Sequence, residues 1–369
     1  MKKSTEKLAK RSTWLFLGLI LLIFINVSAC GKEQISSLSS SSRSLGVEHQ
    51  LRENQGQRLA IIKNRGKIIC GINDQLLGFS YKKPDGSYSG ISVDLCKAIA
   101  TALFNDPQQV EFRHLQSQER FRAVVTGQVD LLSRNTTWTL SRDTSVGLDF
   151  PLTNFYDGQG LLVRKASGIT QLEDLNGKSI CVSKGTTSAT NLVEAMRKHN
   201  IGYFPLLFET ENQLYAAYEA KKCDAATADR SELVARRSQL KEANMHQVLD
   251  VLISKEPLGP AIANGEPAWF DVVKWVSYAM VKAEELKISS KNIDSFNDAK
   301  NPEIRRFLGM EGNIGTTLEL PPDFARRIVQ HVGNYGEVYE RNIGKPFHLA
   351  RGANALWQDG GLMYSPPFR

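Results

Sequence analysis

What this chain of 369 residues lacks narrows its reading first. It contains no G-x-x-x-x-G-K-[ST] run, so it has no phosphate-cradling loop of that type and is not expected to use ATP itself. No CxxC spacing suggests a zinc site, and none of the six histidines falls in the polar loops singled out below. Neither a metal nor a cofactor is therefore expected. Beyond the N-terminal segment, no stretch approaches the roughly 20 apolar residues that a membrane-crossing helix needs. The bias of a disordered chain is missing too, since 41% of residues are hydrophobic and 23% charged. Basic excess is thin as well. Of the formal +7, the first 29 residues hold +4, with Lys2, Lys3, Lys7, Lys10 and Arg11 against Glu6. The +3 that remains is too mild to argue for nucleic acid.

The N-terminus carries the clearest local signal. A basic stretch ends at Arg11, an apolar run follows over 14–27, and Val27-Ser28-Ala29-Cys30 closes it. A short apolar core followed by small residues is what a signal peptidase cleft accepts. The pattern predicts a signal peptide over 1–29 and a lipid-carrying Cys30, with an uncleaved anchor as the alternative. Several acyl chains, at about 0.8 kcal/mol per buried CH₂, give a firm anchor. The serine-rich run 35–42 then reads as part of a flexible tether over 30–50.

Four further cysteines remain: Cys70, Cys96, Cys181 and Cys223. In an oxidising compartment an even count invites disulfides, and four cysteines allow three pairings. Cys70–Cys96 with Cys181–Cys223 is favoured, because each bond would stay within one lobe; four buried thiols are the alternative.

From residue 67 the patterning alternates. A helix is expected up to Arg65, then strands at 67–72, 110–115 and 129–132 with helices at 92–104 and 118–126. A hairpin turns at Pro84-Asp85-Gly86. A second unit repeats the scheme: strands at 178–182, 204–209 and 223–228, helices at 187–198 and 212–220. Gly158-Gln159-Gly160 and Pro257-Leu258-Gly259-Pro260 mark two crossings between the units. The remainder is helical at 269–285, 302–308 and 323–342, and an irregular tail runs over 346–369. The expected division is 51–160 for the first lobe, 161–260 for an inserted second lobe, and 261–369 for a return to the first plus a helical extension. Two connecting strands make a hinge.

The chemistry is expected where strands end, because ligands of open α/β sheets bind at the carboxyl ends of strands. After 129–132 a polar loop offers Asn135, Thr137 and Arg142, whose guanidinium fork fits a carboxylate. In the second unit Thr186 and Thr187 open a helix, where free N–H groups and the dipole suit an anion. Asp229 follows a strand and would meet an ammonium, or else cap the next helix. Together these groups suit a zwitterion.

The stretches Gln118-Glu119-Arg120-Phe121, 132–143, Asp149-Phe150, Tyr156-Asp157-Gly158-Gln159-Gly160, 253–259, 301–306, 332–336 and 356–366 resemble the general L-amino-acid-binding proteins of bacterial ABC transporters, within solute-binding protein family 3. The likeness runs from about residue 66 to the end. It implies an α/β, two-lobed periplasmic binding protein of the Venus-flytrap kind, held outside the cytoplasm, with an L-amino acid as ligand and ABC permease subunits as partners. By the same resemblance Arg142 takes the α-carboxylate with Asn135 and Thr137 beside it. Thr186 and Thr187 clasp it from the second lobe, and Asp229 takes the α-ammonium. Ser117 and Arg120 match the positions that contact the side-chain carboxylate in acidic-amino-acid binders. The family's cation binders carry an acid and an aromatic where this chain has Asn73 and Leu76, which argues against a lysine or arginine specialist; Trp138 would supply a replacement aromatic wall or pack at the hinge. An extracytoplasmic dehydratase on the same scaffold is the competing reading, and it needs a positioned acid or base. A sensory module is disfavoured for want of a following signalling domain.

Overall fold

The computed structural model describes residues 56–369. The candidate signal segment 1–29, Cys30 and the tether 30–50 lie outside the described residues.

Helix α1 (Arg58–Arg65) ends at Gly66 and leads into β1 (Ile68–Ile72), which is buried along its whole length. Alternation along β1 sends Cys70 and Ile72 into one core and Ile69 into another, as a strand covered on both faces must. Strands β2 (Gln75–Leu76), β3 (Ser80–Lys82) and β4 (Tyr88–Ser89) form a small antiparallel meander. In its turn, Asp85 accepts from the Ser87 amide and hydroxyl at 2.8 and 2.7 Å. Next come α2 (Ile91–Phe104), β5 (Val110–His114), α3 (Arg120–Val125), β6 (Leu131–Leu132) and α4 (Leu140–Ser145). The first sheet is parallel, in the order β5-β1-β6. Asp130, just before β6, has its carboxylate fully buried, and it ties Arg58 and Arg65 of α1 to this sheet. Two short strands, β7 (Leu148–Asp149) and β8 (Phe155–Asp157), then lead out of the lobe.

The second sheet has five strands. These are β9 (Gln159–Arg164), β10 (Lys178–Ser183), β11 (Tyr203–Phe208), β12 (Ala225–Asp229) and β13 (His246–Val248), in the order β11-β10-β12-β9-β13. Helices α5 (Thr187–Lys198), α6 (Glu211–Glu219) and α7 (Arg230–Arg237) cover it. Ile180 and Val182 face one core with Leu192 and Met196, while Cys181 faces the other with Leu214 and Tyr218. One difference from the sequence reading concerns β9. Gln159 and Gly160 already belong to the second sheet, where β9 runs antiparallel to both neighbours. The Gly-Gln-Gly run thus opens a strand.

The chain returns through β14 (Glu256–Leu258), which pairs antiparallel with β8, and β15 (Ile262–Ala263), which pairs with β7. Helix α8 (Pro267–Glu285) then packs into the first lobe's core, followed by α9 (Pro302–Phe307), α10 (Phe324–His331) and α11 (Tyr335–Tyr339). The single helix expected over 323–342 is broken. Gly333 takes φ 98°, and Asn334 restarts the chain with a capping box to Glu337. The irregular tail is not loose, since Leu356, Met363 and Phe368 are buried in the same core.

Both disulfides join the pairs favoured above. Cys70–Cys96 links β1 to α2 with Cα atoms 6.5 Å apart, and Cys181–Cys223 links β10 to the turn before β12 at 5.8 Å. Both separations suit a disulfide without backbone movement.

Candidate functional site

A narrow cleft lies between the two sheets. The first lobe lines it with Ser117, Arg120, Arg134, Asn135 and Thr137; the second lines it with Thr186, Thr187, Glu211, Asp229 and Glu232 among others.

Each side is assembled by local capping. The polar loop after β6 ends where the Thr139 hydroxyl accepts from the Arg142 amide at 3.3 Å, which starts α4. That start brings the Arg142 guanidinium back to the Thr137 carbonyl, to which Nη1 donates at 2.8 Å. Across the cleft, Thr186 caps α5, accepting from the Ala189 amide at 3.3 Å and donating to the Ser183 carbonyl at 2.7 Å. Its hydroxyl is committed to the backbone. Thr187 is differently placed: its hydroxyl meets that of Thr137 at 3.2 Å and donates to Glu256 at 2.9 Å. Between them and β10, Gly185 has φ 71°, and a Cβ there would stand 3.2 Å from Gln118 Cγ of the opposite lobe. Both the backbone and the close approach call for glycine.

Asp229 occupies the N-cap position of α7, yet its side chain makes no capping bond. Asp157 of β8 replaces it there, accepting from the Ser231 amide at 3.2 Å and also from the Ser231 hydroxyl. This leaves the Asp229 carboxylate facing the cleft with one weak donor, Asn135 Nδ2 at 3.3 Å. Burial first, then the charges of Asp157, Glu256 and Glu232, hold its pKa well above the usual carboxylate value. Such a carboxylate lacks a cation.

The first lobe has the reverse deficit. Arg120 is 3% exposed; among the described residues its guanidinium makes one long hydrogen bond, to Thr136 Oγ1 at 3.4 Å, and its Nε has no partner. Burial, then Arg134 and Arg142, push its pKa well down. Arg142 is also buried, and desolvation lowers it likewise. Both guanidiniums lie over the Phe121 ring, at 4.8 and 5.1 Å from its centroid. A buried guanidinium with free donors needs an anion.

Of the eight expected ligand-binding residues, seven line the cleft: Ser117, Arg120, Asn135, Thr137, Thr186, Thr187 and Asp229. Arg142 is not among the lining residues and adjoins them through Thr137. Three charged lining residues escaped the sequence reading. Arg134 donates to Ser117 Oγ at 3.0 Å and to Glu211 Oε1 at 2.8 Å, and Glu232 accepts from Asn135 at 3.0 Å and from Tyr215 at 3.2 Å. Trp138 does not supply an aromatic wall. It stacks on Phe150 with centroids 6.0 Å apart, and its amide donates to Pro257 of β14 at 2.8 Å, because the loop turns it toward the crossing strands. Asn73 and Leu76 are buried in the first lobe away from the cleft lining. Among the described residues, no group of three or more His, Cys, Asp or Glu side chains is placed to hold a metal ion.

A sequence profile of the bacterial extracellular solute-binding proteins, family 3, matches residues 68–294. The chain is 45% identical over 315 residues to the general L-amino acid-binding periplasmic protein AapJ of Rhizobium johnstonii, covering 84% of this chain and 92% of that one. It is 44% identical over 311 residues to the glutamate/glutamine/aspartate/asparagine-binding protein BztA of Rhodobacter capsulatus, with the same coverage of each chain. Among solved structures, an ABC transporter periplasmic binding protein from Brucella ovis with glutathione bound is similar at a TM-score of 0.83 and 44% identity. That match covers 84% of this chain and 99% of the other. The relatives are binding proteins and not enzymes.

Proposed function

The chain belongs to the bacterial extracellular solute-binding proteins, family 3, and from that membership we propose that it captures L-amino acids as the binding component of an ABC importer. The α-carboxylate meets Arg142, Thr137 and Thr187, and Asn135 lies beside it. The α-ammonium meets Asp229, and the side chain extends toward Ser117 and Arg120. The observation that carries this reading is the pair of opposite deficits: an under-bonded guanidinium, Arg120, on one wall and an under-bonded carboxylate, Asp229, on the other. The α-ammonium supplies the cation that Asp229 lacks, and a polar or acidic side chain supplies the acceptor that Arg120 lacks, in a site where burial strengthens each contact. A micromolar affinity needs about 8 kcal/mol, within reach of several charge-assisted hydrogen bonds.

The lobes move about β8 and β14, so the ligand lands on the first lobe and closure adds Thr187 and Asp229. Acidic and amide side chains are favoured, since Arg120 is the free cation at the side-chain end. BztA is named for that same group of ligands. Delivery is to permease subunits, with ATP used by a separate chain. Cys30 holds the protein to the membrane; loss of radiolabelled palmitate on Cys30→Ala checks this, and retained label refutes it.

Calorimetry against the twenty amino acids and glutathione tests the main claim. Saturable heat is expected with several amino acids, glutamate and glutamine among them. Heat with glutathione and none with free amino acids would replace this ligand class.

A further inference from the structure

The side-chain end of the cleft contains an ion pair that spans the two lobes. Arg134, from the loop after β6, is held by the Leu115 carbonyl at 2.7 Å and meets Glu211, the first residue of α6, at 2.8 Å. Ser117 Oγ donates to the same Glu211 oxygen at 2.9 Å. The pair is dry, with side-chain exposures of 1% and 11%. Burial raises the Glu211 pKa most, but Arg134, its own backbone amide, Ser117 and Arg236 together outweigh it, and the carboxyl stays below its usual value. Glu232 faces the same space from α7, and Arg236 lies behind, over the Tyr215 ring. Of the two guanidiniums that line the cleft, Arg134 is paired with Glu211, while Arg120 has no carboxylate partner among the described residues.

We propose that Glu211 is a specificity-determining residue. As the second lobe's counter-ion to Arg134, it limits the free positive charge at this end of the cleft to one guanidinium, and so keeps amide side chains acceptable beside acidic ones. Without Glu211, both Arg120 and Arg134 would confront the ligand, and a neutral amide would leave two buried cations unmatched. Without Arg134, Glu211 would repel an incoming carboxylate. The two substitutions therefore move selectivity in opposite directions, which a purely structural role for the pair would not do. This inference rests on the side chain lying toward Arg120, as set out above.

The test is calorimetry of the full chain with L-glutamate and L-glutamine, read as the ratio of the two affinities. Glu211→Gln is expected to raise the preference for glutamate about tenfold, and Arg134→Gln to lower it by a similar factor. Glu211→Asp, which keeps the charge, should leave the ratio near that of the unaltered protein. Ratios that stay constant while both affinities fall together would reduce the pair to a closure contact and overturn the proposal. A shift in the same direction for both variants would also overturn it. If one variant does not fold, the sign of the other still decides. If the unaltered protein binds neither ligand, the proposed function itself fails, and this inference with it.

Discussion

The two walls of the cleft reach their charges by different routes. On the first lobe the cations are anchored by backbone carbonyls, Arg134 on Leu115 and Arg142 on Thr137, while Arg120 is left nearly bare. On the second lobe the acids sit where helices begin. Glu211 is the first residue of α6, Asp229 precedes α7 and Glu232 lies in its first turn. Negative charge there is stabilised by the helix dipole, typically by about 0.3–1 kcal/mol. On each wall one group is already paired, Arg134 with Glu211 across the cleft, and one waits for a partner, Arg120 on the first and Asp229 on the second. The difference teaches that the first lobe supplies the cations and the second lobe's acids set how many of them stay free.

The largest effect should come from removing the two groups that meet the ligand's charged ends. Arg142→Ala and Asp229→Asn should each weaken every amino acid by about 30-fold or more, since breaking a buried charge pair costs about 2–5 kcal/mol. Titration heat that survives Arg142→Ala for all ligands would break the comparison at its first lobe. Acid pH should act on one wall only. Asp229 is held above its usual range by burial and by Asp157, Glu256 and Glu232, and an ammonium pairs only with its ionised form. Lowering the pH fills that site with a proton, so affinity should fall, by up to about tenfold per unit below the pKa of Asp229. Affinity that does not change at all on acidification would remove Asp229 from the site.

A smaller loss is expected at the seam. Gly185→Ala meets both the left-handed backbone and Gln118. A left-handed residue with a Cβ costs about 1–2 kcal/mol, so melting temperature should drop and closure weaken about severalfold. Unchanged melting and affinity would contradict the close approach. The smallest effect belongs to the rim, where Lys184 pairs with Glu209 and both side chains are about half exposed. Lys184→Ala should change affinity by less than about twofold, because exposed ion pairs contribute little. A large loss there would mean that closure depends on the rim more than on the walls.

Much of this arrangement was legible in the residues alone. Helix α5 begins and ends where the pattern placed it, at 187 and 198, because Thr186 caps it and its apolar face repeats cleanly. The favoured cysteine pairing is the one present. Strand β9 was missed as a strand because it is buried on both faces and opens with Gln159-Gly160, which gives no alternation to read. The break after α10 was missed because Gly333 sits inside an otherwise helical pattern. Arg134 and Glu211 were missed for a deeper reason. Each reads alone as an ordinary polar residue, a loop arginine and an acid at a helix start. Their meaning comes from contact across 77 residues of chain. Capping by Asp157, which frees Asp229, is hidden in the same way, since those two lie on different strands.

A crystal structure with L-glutamate bound tests the central claim most directly. The ligand's α-carboxylate is expected within hydrogen-bond distance of Arg142, its ammonium on Asp229 and its side chain directed at Arg120. A ligand seated with neither Arg142 nor Asp229 in contact would contradict it.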